Sequence, residues 1–96
     1  MKLILKTEAG YVVSIPVEII AKNRAECYAH EFDGDVERSL NEGTMPLFNG
    51  SPYQVYHWFM YSMLWSDVEE HSKVIARPET SIEQALYDIE DYDVTL

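Results

Sequence analysis

The chain has 96 residues, seventeen of them acidic against seven basic, for a formal net charge of -10, and it is 47% hydrophobic and 12% aromatic. That apolar content is well above what a disordered acidic chain carries, so burial can offset chain entropy, and one domain over 1–96 is expected. The negative field disfavours direct contact with nucleic acid or an anionic membrane and favours basic protein partners, chiefly by raising encounter rates, although charge of this kind also serves solubility alone.

Residues 2–7 and 11–15 are β-rich runs separated by Glu8-Ala9-Gly10, where glycine can take the positive φ of a tight turn, so the chain is expected to open with a β-hairpin. Pro16 suits a first helical turn, and Val17, Ile20, Ala21, Arg24, Ala25 and Tyr28 recur at helical spacing, predicting a helix over about 16–30. Glu31 to Asp35 breaks it. Asp33 can then cap a short second helix carrying Val36 and Leu40, with Gly43 as its stop and 44–50 as a loop. Ser51-Pro52-Tyr53-Gln54 has the serine, proline and glutamine of a capping box, predicting a third helix from 52 to about 64.

Ser66-Asp67-Val68-Glu69 repeats that capping logic after a bend at Trp65. Lys73 to Arg77 reads as a strand stopped by Pro78. Thr80-Ser81-Ile82-Glu83 starts a further helix that carries Ile82, Ala85, Leu86 and Ile89, and Asp91 to Leu96 reads as either a strand or a tail. The predicted architecture is α+β, a small antiparallel sheet with an N-terminal hairpin packed against three to five helices.

A single cysteine, Cys27, excludes an internal disulfide, and Met1-Lys2-Leu3-Ile4-Leu5-Lys6 is charged too early for a signal peptide, so a cytoplasmic protein is expected. The most apolar stretch, Tyr53 to Trp65, contains Gln54, His57 and Ser62 and falls short of the roughly 20 apolar residues that span a bilayer.

That stretch concentrates Tyr53, Tyr56, Trp58, Phe59, Tyr61 and Trp65 together with Met60 and Met63. On helical geometry Tyr56, Phe59, Met60 and Met63 share one face, and Trp58, Tyr61 and Trp65 another. With the first face in the core, the second is a candidate contact surface; the competing reading buries both.

Two acidic stretches stand out, Glu31, Asp33, Asp35, Glu37 and Glu42, and then Glu79, Glu83, Asp88, Glu90, Asp91 and Asp93, with no lysine or arginine after Arg77. Carboxylates spaced on a rigid scaffold can imitate nucleic-acid phosphates and occupy a basic groove, or they can form a solvated face. The residues expected to touch a partner are therefore Trp58, Tyr61 and Trp65 together with Glu31, Asp33, Asp35, Glu37, Asp88, Glu90, Asp91 and Asp93.

No catalytic residue, cofactor site or metal site is expected. The acidic run at 33–37 fails as a calcium loop because its sixth position is Arg38, where glycine is required. Cys27 and His30, three apart, would form a metal or nucleophile site only with His57 or His71, and no second paired ligand motif accompanies them. Gly-rich phosphate loops and serine elbows are absent from the sequence.

The runs Pro16 to Glu26, Gly34 to Glu42, Pro46-Leu47-Phe48 and Trp65 to Glu69 resemble small uncharacterised acidic bacteriophage proteins, over residues 16–70. The resemblance transfers no catalytic motif. It implies an inhibitor that blocks a basic, nucleic-acid-binding host protein, such as a restriction or CRISPR effector, as an anti-CRISPR or DNA mimic would. The alternative is a non-catalytic structural or regulatory accessory protein acting as a homodimer through the aromatic helix.

Overall fold

Leu3 and Leu5 alternate with exposed or half-exposed Lys2, Ile4 and Lys6, the period of a strand with one buried face. In the computed structural model, which describes residues 1–76 and 82–95, this run forms β1 (Lys2–Thr7), and it pairs antiparallel with β2 (Val12–Pro16). Gly10, at φ +100, supplies the turn expected of it. The turn closes through Thr7, whose amide donates to the Tyr11 carbonyl at 3.0 Å and whose hydroxyl accepts from the Tyr11 amide at 3.1 Å. The fold is α+β: among the described residues a four-stranded antiparallel sheet runs in the order β3 (Lys73–Ala76), β2, β1, β4 (Ile89–Thr95), accompanied by six α-helices.

The chain falls into two compact units, Met1–Pro16 with Leu64–Leu96, and Val17–Met63. In the first, β3 (Lys73–Ala76) flanks β2 and β4 (Ile89–Thr95) flanks β1. Leu3, Leu5, Val13 and Ile15 are fully buried, each worth roughly 1.5–3 kcal/mol of apolar transfer. Tyr92 and Val94 lie opposite Leu5 and Leu3, so β4 follows the same alternation. The predicted helix through Ile89 is therefore confined to α6 (Ile82–Ala85), and Ile89 begins a strand; the open edge of β1 recruits a segment whose period is two. The Glu8 amide donates to the Asp88 carbonyl at 3.0 Å, tying the hairpin to the entry of that strand. The predicted end of β3 at Arg77 and Pro78 and the cap at Thr80-Ser81 lie outside the described residues.

The first unit also holds α5 (Trp65–Val68), followed by a 3₁₀ turn Glu69–His71. The break before it falls at Met63 and Leu64, both extended, and not at Trp65. Its first turn is capped by Asp67, whose carboxylate accepts the Leu64 amide at 2.8 Å, whereas Ser66 lies inside the helix.

In the second unit, α1 (Val17–Tyr28) buries Val17, Ile20, Ala21 and Ala25, as its spacing predicts. A 3₁₀ turn, Ala29–Phe32, then ends in left-handed Asp33 (φ 56) and Gly34 (φ 82). The cap of α2 (Val36–Arg38) is Asp35, whose Oδ1 accepts the Arg38 amide at 3.1 Å; Asp33, the predicted cap, serves the preceding turn instead.

Gly43 does not stop this helix. It continues as a π turn, Ser39–Thr44, into α3 (Met45–Gly50), across the segment predicted to be a loop. The Met45 amide reaches back five residues to the Leu40 carbonyl, and Pro46, which has no N–H to donate to the preceding turn, follows directly in the first turn of α3. A Cβ on Gly43 would stand 3.3 Å from two ring carbons of Phe32, so this glycine serves close approach rather than termination. Within the π turn the Ser39 hydroxyl is fully buried without a hydrogen-bond partner.

Helix α4 (Pro52–Ser62) starts where the serine and proline place it, with Ser51 extended and Pro52 in the first turn. The Gln54 amide donates to the Ser51 carbonyl at 3.0 Å, while the Ser51 side chain makes no cap bond, so the two-way capping box is not formed.

Candidate functional site

Trp58, Tyr61 and Trp65, predicted to share one helical face, do not lie on one helix. Trp58 and Tyr61 belong to α4, but Trp65 lies beyond the extended Met63–Leu64 break, in α5, and is 8% exposed. Trp58 is half-buried. Its Nε1 donates to Asn23 Oδ1 at 2.9 Å, and its ring lies 5.9 Å from Tyr28. Arg24 sits 4.4 Å from the Tyr28 centroid and 5.8 Å from Trp58, and donates to Thr44 Oγ1 at 3.0 Å. Trp58 thus anchors α4 to α1. On the opposite face Val55, Phe59 and Met63 are buried, while Tyr56 and Met60 are half-buried.

Tyr61 alone of the three is fully outward, at 76% exposure. Its neighbours are residues the sequence analysis named but assigned to no contact face: His57, 4.7 Å away between ring centroids, and Tyr53, 5.8 Å further along. The signal was a spacing of four, 53-57-61, which puts the rings in one row on a helix.

The eight carboxylates expected to touch a partner are exposed: Glu31, Asp33, Asp35 and Glu37 in the second unit, and Asp88, Glu90, Asp91 and Asp93 in the first. The first group is carried by the 3₁₀ turn and the start of α2. Beside it Arg38 pairs with Glu42 at 2.9 Å, and that hydrogen bond, with the Glu42 charge, raises the Arg38 pKa. In the other group, pairing between β1 and β4 skips Glu90, so that Lys6 opposes Asp91 and Thr7 opposes Ile89. This bulge turns two consecutive carboxylates outward. Asp93 lies two residues on, about 6.6 Å from Asp91 along the strand and well within a Debye length, so their fields add. Lys6, across from Asp91, offsets part of that charge.

Not all of these groups are simple surface charges. Asp35 caps α2, and Asp91 Oδ1 accepts the Tyr92 amide at 2.9 Å.

Cys27 is exposed, and His30 Nδ1 lies 3.1 Å from the Cys27 carbonyl oxygen, a contact with the backbone and not with the thiol. Among the described residues no three His, Cys, Asp or Glu side chains converge as a metal site, and no helix is long and apolar enough to cross a membrane. Compared with known proteins, the chain matches no family model, no curated protein and no solved structure.

Proposed function

We propose that this chain is a small acidic inhibitor of the bacteriophage type, which binds a basic, nucleic-acid-binding host protein and blocks its groove in the manner of an anti-CRISPR or DNA mimic. The observation that carries this reading is the placement of Glu31, Asp33, Asp35, Glu37, Asp88, Glu90, Asp91 and Asp93, every one of them exposed. Within each unit, carboxylates held on a turn and helix start or on a strand keep their local spacing when a partner approaches, so little ordering cost falls on binding there. The chain works by occupancy in this reading, without a catalytic step, in the cytoplasm of the host.

The test is capture of host proteins on the immobilised chain, followed by displacement of labelled DNA or RNA from the captured protein. Binding should weaken steeply with salt and compete with nucleic acid. Neutralising Glu31, Asp33, Glu37, Asp88, Glu90 and Asp93 to Gln or Asn, while sparing Asp35 and Asp91 for their local bonds, should slow association more than it speeds dissociation. A complex that forms equally fast after neutralisation and still admits nucleic acid would sink the reading.

A further inference from the structure

Tyr53, His57 and Tyr61 form a row of exposed rings on α4, with Tyr53 at 48% and Tyr61 at 76% exposure. The order of rings, Tyr-His-Tyr, reads the same in both directions: His57 lies four positions from each tyrosine, with its ring centroid 5.8 Å from Tyr53 and 4.7 Å from Tyr61. A helix laid antiparallel on this face therefore meets the same order of rings that it presents. This is the self-complementarity of a two-fold contact, in which residue i meets j and j meets i.

Charge narrows the occupant further. Helix α4, Pro52–Ser62, carries no Asp, Glu, Lys or Arg, in a chain of net charge -10. A basic partner gains nothing from a neutral face and is drawn to the carboxylates, whereas a second copy, itself at -10, can approach only where no carboxylates confront each other.

We propose that α4 is the docking face for a second copy of this chain, the two helices antiparallel about an axis at His57, with Tyr53 of each against the partner's Tyr61. The contact spans a helix of about 16 Å, so it is a modest, reversible dimer driven by aromatic burial. It stands independently of the acidic-surface reading, and salt separates the two. Screening weakens an acidic chain on a basic partner, but it relieves repulsion between two copies and strengthens their contact.

Sedimentation of the purified chain over a concentration series up to about 1 mM, at low and high salt, tests this. The weight-average mass should rise towards twice the monomer and do so at lower concentration in high salt. His57→Glu and His57→Lys each place like charges at the axis and should weaken the dimer at least tenfold, with helix content unchanged by circular dichroism. Their equimolar mixture should recover it as a heterodimer. In a Cys27→Ser background, Tyr53→Cys mixed with Tyr61→Cys should give a disulfide-linked pair that neither forms alone. A chain monomeric throughout, a dimer indifferent to both His57 variants, or cysteines that crosslink only to their own kind would each overturn the proposal.

Discussion

The indole of Trp58 and the side-chain amide of Asn23 are joined by a 2.9 Å hydrogen bond between residues thirty-five positions apart, which fixes α4 on α1. A tryptophan held this way has spent its donor inside the fold and is a poor candidate for a contact surface.

Trp58→Ala should accordingly cost about 2–4 kcal/mol of stability, below a full core truncation because the ring is half-buried. Asn23→Ala should cost about 1 kcal/mol, and the Asn23–Trp58 double-mutant cycle should show a coupling of about 0.5–1.5 kcal/mol. Urea denaturation reads both. Additive effects within error would mean that the bond contributes nothing and that Trp58 is free to serve a partner.

Carboxylates with local bonds should separate from those without. Asp35→Ala and Asp67→Ala each remove a cap and should cost about 0.5–2 kcal/mol. Glu31→Gln, Asp33→Asn and Glu37→Gln should each lie within about 0.5 kcal/mol of the parent, as surface substitutions do. Thermal midpoints of the five variants check this; a loss at Glu37→Gln equal to that at Asp35→Ala would contradict the assignment of the cap.

Gly10 should resist replacement. At φ +100 an L side chain is strained, so Gly10→Ala should destabilise by about 1–2 kcal/mol although nothing stands within 4 Å of the new Cβ. Gly50, equally open but not at positive φ, provides the control, since Gly50→Ala should cost less. Equal losses at both sites would show that the turn does not depend on the backbone of Gly10.

The features legible in the sequence are those whose cause lies within a few residues. Alternating Leu3 and Leu5, with Gly10 between the β-rich runs, determined the hairpin; the helical spacing of Val17, Ile20, Ala21 and Ala25 determined α1; Ser51-Pro52 placed the start of α4. The exposure of the acidic residues was equally plain, because a carboxylate is costly to bury. The tertiary structure decided what depended on distant chain. Ile89–Thr95 is a strand because β1 offers it an edge, and 36–50 stays helical past Gly43 and Pro46 because a π turn absorbs the proline while the glycine makes room for Phe32. Trp58 turns inward because Asn23, on another helix, supplies the acceptor its indole needs, which leaves the outward row to Tyr53, His57 and Tyr61. Hydrogen bonds and close contacts between residues far apart in sequence leave no local periodicity to read, and they override the propensities that do.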